Sequence, residues 1–209
     1  MSAAASLPKL TLSARLGASA DIALRLETSV LKFVAITGMS KAAPLRVTAP
    51  GHNIPDMWHA AVIDARGMIE LNAADSNKIR EAEFHQVTVI DANTVDFMEI
   101  SSANFKTYTG GGYLAYYEPL DLSGYTSARM DIKRRVGGDV DLALNTTDGT
   151  LEIEASSNTV WIRLDDTTLD DLPAREYVFD IELVSATAID AICSAESVFE
   201  VLPEVTTSV

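Results

Sequence analysis

GMIELNAADSNKIREAEFHQVTVIDANTVDFMEISSANFKTYTGGGYLAYYEPLDLSGYTSARM, residues 67–130, is the stretch that decides the fold. Val87 and Val89 alternate with Thr88 and Ile90, the chain turns at Asp91-Ala92-Asn93, and Val95 and Phe97 take up the alternation again. A period of two, interrupted by residues whose side chains cap local backbone groups, predicts a β-hairpin. The triplet Gly110-Gly111-Gly112 allows positive φ and close backbone approach, which predicts a bulge or tight corner in a small barrel. Only residues 72–84, NAADSNKIREAEF, read as a helix, with Asp75 or Ser76 as its N-cap.

Toward the N-terminus, residues 1–9 read as a loose tail. Leu10, Leu12 and Ala14, a small-residue turn at 17–21, then Ile22, Leu24 and Leu26 predict a first hairpin. Residues 30–37 and 45–49 read as strands, and 50–59, PGHNIPDMWH, as a loop flanked by prolines. HAAVIDA and GMIEL predict a hairpin turning at Arg66-Gly67. Toward the C-terminus, SARMDIKRR and DVDLALN flank Gly137-Gly138, and LEIEA follows Asp148-Gly149, a strong hairpin signal. TVWIRLD, a capped turn at 167–173, REYVFDIELV and SVFEVLPEVT complete an all-β pattern of sandwich or barrel modules.

With 209 residues the chain has room for one or two compact domains. Thirty acidic against sixteen basic residues give a net charge of −14, which argues against a phosphate-tracking nucleic-acid surface and against an anionic membrane. No apolar run approaches a membrane span and the N-terminus lacks a secretory pattern, so a soluble product of the cytoplasm is expected. The single cysteine, Cys193, reads as a small buried hydrophobe.

No group of residues has the spacing of a catalytic centre. His52, Asp56 and His59, with Asp64 or Glu70, match no metal-site spacing, and a hydrogen-bonding role in the loop is the simpler reading of His52. Asp165-Asp166 and Asp170-Asp171 read as a solvated face or as caps. No Gly-x-Ser-x-Gly elbow or phosphate loop occurs. No enzyme activity, cofactor or metal is therefore expected. Tyr108, Tyr113, Tyr116, Tyr117 and Tyr125, with Phe105, form the densest aromatic zone. It suits a packed joint between two β modules first, and a carbohydrate platform or a protein hot spot second. If Val160, Ile162 and Leu164 face the core, Trp161 faces outward. Trp58, Trp161, Tyr113, Tyr116 and Tyr117 are thus the expected interface residues.

Residues 36–117, through ITG, VTAPGH, GMIELN, VTVIDANTVDF and SSANFKTYTGGG, resemble a small β-barrel module of phage virion proteins, akin in pattern to the first catalytic cysteine half-domain of ubiquitin-activating enzymes. The loop after His52, Asn53-Ile54-Pro55-Asp56, departs from that pattern, and no ubiquitin chemistry is implied. Residues 119–206, through PLDLSGYTSARMDIKR, EYVFDIEL and VLPEVT, resemble a β-sandwich module of phage tails and baseplates. The resemblance implies an all-β protein in which a small β-barrel (31–117) is inserted into, or precedes, an antiparallel β-sandwich (10–30 with 118–209). It also implies a non-enzymatic structural component of a tailed-phage virion in the tail, collar or baseplate. Such a subunit would work by homo-oligomerisation and by docking to other virion proteins, after synthesis in the host cytoplasm. Capsid decoration and a receptor- or glycan-binding module are the alternatives.

Overall fold

The computed structural model describes residues 8–204 and is nearly all β. The chain divides into two compact units, one formed by residues up to Leu26 and from Asp121 onward, the other by Glu27–Leu120. The second unit thus interrupts the first in sequence.

The first two strands are β1 (Thr11–Arg15) and β2 (Ala20–Arg25). They do not form the expected hairpin, because they join different sheets of the first unit. Their connection is therefore an arch, and both strands take partners from the far end of the chain.

The second unit begins with β3 (Glu27–Ala35), β4 (Gly38–Met39), β5 (Leu45–Thr48) and β6 (His59–Ile63). It continues with β7 (His85–Gln86), β8 (Thr88–Asp91), β9 (Thr94–Phe97) and β10 (Tyr113–Pro119). One run is ordered β3-β10-β6-β7 and the other β4-β5-β9-β8. Residues 27–39 and 85–91 each pass from one run to the other, so the hydrogen bonding closes into a ring. Thr37 N–H to Thr48 O at 2.8 Å marks the first crossing, and Val87 N–H to Trp58 O at 2.8 Å the second. A closed ring is a barrel and leaves few free edges.

Alternation fills its interior. Leu45 lies opposite Phe97 and Val47 opposite Val95, all fully buried, while Arg46 and Asp96 between them form a bidentate ion pair at 2.7 and 2.8 Å. Gly112 sits where the chain returns toward β10, at φ +85, and a Cβ there would lie 2.7 Å from Ala65 N and Cα. Its carbonyl accepts the Ile36 N–H at 3.0 Å, where β3 turns toward β4.

Two expected elements of this unit are absent among the described residues. Residues 72–84 hold only a 3-10 turn, Glu81–Glu83. Ile79 and Phe84 are the only large apolar residues in that stretch, too few for the stripe that docks a helix. GMIEL does not pair with β6. Instead Arg66 pairs with Gly110, and the Asn72 side-chain amide takes both the N–H and the C=O of Ala65, at 3.0 and 2.9 Å.

Back in the first unit come β11 (Tyr125–Lys133), β12 (Val140–Asn145), β13 (Leu151–Glu154) and β14 (Thr159–Leu164). The last strands are β15 (Glu176–Ser185), β16 (Ile189–Ala191) and β17 (Ser197–Leu202). One sheet is ordered β1-β17-β15-β11-β12, with β16 also on β15, and the other β13-β14-β2. β1 runs parallel to β17, and all other pairings in the unit are antiparallel. Buried residues alternate along β15 (Tyr177, Phe179, Ile181, Leu183) and β14 (Val160, Ile162, Leu164), so each sheet turns one face inward, as in a sandwich.

The sandwich boundaries expected at 30 and 118 move to Leu26 and Leu120, because β3 is one continuous strand laddered to β10 from its first residue. Asp148-Gly149 does not make a hairpin either. It carries the chain from β12 in one sheet to β13 in the other, pinned by Asn145 and Thr150 bonding to the Asp148 carboxylate.

Near the start of β15, the buried Tyr177 donates its hydroxyl to Pro173 O at 2.9 Å. This is the tyrosine corner of Greek-key sandwiches. Tyr177→Phe is expected to cost about 1–2 kcal/mol in chemical denaturation, since it strands that carbonyl without opening a cavity. A change within error would show the bond to be idle.

Candidate interaction surface

The aromatic residues expected at an interface divide between core and surface. Trp58 is 2% exposed and belongs to the barrel core, with its Nε1–H donating to Tyr117 O at 2.9 Å. Tyr116 is 6% exposed and donates its hydroxyl to His52 O at 2.6 Å. These two are packing residues, which corrects their assignment as contacts. Trp58 precedes β6 and so falls outside any alternation that could show which way it points.

Tyr113, by contrast, is 45% exposed. Tyr117 is half-buried and stacks on Phe84, with ring centroids 5.4 Å apart and planes at 29°. Trp161 lies on the face of β14 opposite Val160 and Ile162. There the Arg163 guanidinium sits 4.4 Å above its ring, and its Nε1–H bonds Glu154 at 3.0 Å. The residue is half-buried among its own sheet neighbours.

Val136, Met98, Ile189 and Ile69 are exposed singly, whereas β3 carries two exposed apolar residues on one strand. On one side β3 ladders with β10 from Leu31 to Ala35 and again at Glu27, with a bulge between. On its other side no strand lies along Glu27–Ala35 among the described residues, because the barrel closes further on, at Thr37–Met39. Val30 is 48% and Phe33 49% exposed. Phe33 pairs with Ala115, and Ala35 with Tyr113, so Phe33 and Tyr113 share one sheet face. The usual protections of an edge are a proline, a bulge or a charge; here the bulge and Glu27 lie at the start of β3, while its later part, Leu31–Ala35, holds no proline and its one charge, Lys32, is paired with Glu118 at 3.0 Å. Such a signal could have been found in ETSVLKFVA as an unusually neutral β-prone run, but nothing local says that one side stays bare.

The candidate ligand groups are otherwise engaged. His52 is buried, accepts the Ile54 N–H on Nδ1 at 3.0 Å, and therefore carries its proton on Nε2, which donates to Asp91 O at 2.9 Å. Asp56 accepts the Val89 N–H at 2.9 Å. No group of three His, Cys, Asp or Glu among the described residues is placed to hold a metal. Asp165 is held below the usual carboxylate range by Thr168 and Thr167, whose hydroxyls cap onto it. Burial pushes the Cys193 thiol up, the condition of an inert thiol. No described helix is long and apolar enough to cross a membrane.

Glu83 fastens the 72–84 segment. Its carboxylate accepts from the Arg80 guanidinium and from the Arg80 and Ala74 amides, at 2.7, 2.7 and 2.9 Å, and its pKa falls to about 2. A depressed carboxylate stabilises above its ordinary value and releases that stabilisation as pH falls toward the folded value. The Glu83 carboxyl is therefore expected to titrate near 2 by NMR and to move up toward its ordinary range in Arg80→Ala. A midpoint already in that range in the native protein would mean the clasp does not form.

No protein-family model matches the chain, and no curated protein matches it. Fold and surface define an all-β protein of two units, in which the edge strand β3 carries exposed apolar side chains.

Proposed function

We propose that the chain is a non-enzymatic structural component of a tailed-phage virion, in the tail, collar or baseplate, and that it works by self-association and by docking to other virion proteins. One observation carries the mode of action: among the described residues no strand pairs the outer side of β3, whose regular part, Leu31–Ala35, carries the exposed Phe33 and shares a face with Tyr113. A free edge recruits an extended strand through main-chain bonds, and flanking apolar groups add burial. The occupant we assign is β3 of a second copy, since identical edges meet in a closed two-fold pair. The resemblances of residues 36–117 and 119–206 support the virion setting.

Phe33→Asp is expected to convert a defined oligomer to monomer in light scattering, while Met98→Asp, at an exposed site away from β3, leaves the mass unchanged. An unchanged mass in Phe33→Asp would reject this edge as the contact. The virion setting is tested separately, by mass spectrometry of purified particles from a producing host. Particles lacking the polypeptide would overturn it.

A further inference from the structure

The barrel unit carries a cleft of about 420 Å³ lined by Glu27, His59, Ile79, Glu81, Phe84 and Tyr117. The volume lies in the range of small-ligand sites. The stacked rings of Phe84 and Tyr117, with Ile79, give it an apolar wall. Glu27 and Glu81 give it charge. Burial pushes the Glu27 carboxyl up, and the Glu81 charge adds to the rise. Arg80, the cation next to Glu81 in sequence, is taken by Glu83 at 2.7 Å.

Two carboxylates beside an aromatic wall favour a cation with an apolar stem. A metal ion fits poorly, because no third ligand joins these carboxylates. A guanidinium fits well. Its planar N–H pairs can meet two carboxylates at once, its flat face packs on rings, and its methylene stem suits a wall such as Ile79. We propose that this cleft receives an arginine side chain of a partner protein, with the guanidinium between Glu27 and Glu81 and the stem against Ile79, Phe84 and Tyr117. The proposal is independent of the β3 contact and of the virion setting.

The full chain is titrated with N-acetyl-arginine amide and followed by NMR at the Phe84 and Tyr117 ring signals. Saturable shifts are expected. The uncharged, isosteric citrulline analogue should bind at least tenfold more weakly, and so should the arginine compound to Glu81→Gln and to the double variant Glu27→Gln/Glu81→Gln. Neither glutamate is among the buried residues, so these variants should keep the parental unfolding midpoint, which confirms that any lost binding is local. Absence of saturation would overturn the proposal. Equal binding of the citrulline analogue or of N-acetyl-lysine amide, undiminished binding by the Gln variants, or saturation by a neutral oligosaccharide in place of arginine would do the same.

Discussion

Gly112→Ala is expected to cost the barrel unit on the order of 3 kcal/mol or more, lowering its thermal midpoint by about 10 °C or more. Two costs add. The residue sits at φ +85, where a Cβ alone costs about 1–2 kcal/mol. The Cβ would also stand 2.7 Å from Ala65 N and Cα and 2.8 Å from Ile63 O, all backbone atoms that have no rotamer by which to withdraw. Relief requires β6 and β10 to separate near Ile63, where they pair with Tyr113. Gly51→Ala isolates the first cost, because Gly51 has a similar φ of +69 but nothing within 4 Å of its added Cβ. The two variants should therefore differ by at least about 2 kcal/mol in urea unfolding. Equal losses would mean that the backbones around Gly112 are not so closely packed.

Trp58→Ala is the second large effect, expected at about 3–5 kcal/mol. The ring is buried in the barrel core, so its removal leaves a cavity, and its Nε1–H is a partner of Tyr117 O, so that carbonyl loses a bond as well. Trp58→Phe keeps most of the volume and removes only the donor, for about 1–2 kcal/mol. The pair separates a packing role from a contact role. A tryptophan at a subunit contact would leave monomer stability unchanged on truncation and weaken only the assembly, and that outcome would move Trp58 back to the surface.

Local signals in the sequence held where the structure itself is local. The turn at Asp91-Ala92-Asn93 is closed by the Asp91 carboxylate accepting the Asn93 N–H at 2.8 Å, and β8 and β9 pair across it as the alternation requires. β11 and β12 likewise pair across Gly137-Gly138. The turn signal at Asp148-Gly149 leads instead from one sheet to another, because turn chemistry reverses the chain without choosing the partner strand. The small-residue turn at 17–21 behaves in the same way. β1 finds β17 more than 180 residues later, in a parallel pairing, which no short window can register.

The surface was legible only in part, for a related reason. Alternation along β14 places Trp161 opposite Val160 and Ile162, and a strand pattern is enough to say so. Trp58 and Tyr116 are decided by what closes over them, the His52 loop and the β10 carbonyls, which are distant in sequence. The bare side of β3 is likewise a property of the ring, set by where β4 meets β5.

The association of β3 edges is tested most directly by hydrogen exchange at the Thr28–Val34 amides, measured at low and high protein concentration. Pairing between copies predicts that the amides facing away from β10 exchange quickly when dilute and become protected when concentrated, with Phe33→Asp abolishing that protection. Exchange that stays fast at every concentration, in a protein that remains a single chain in solution, would contradict it.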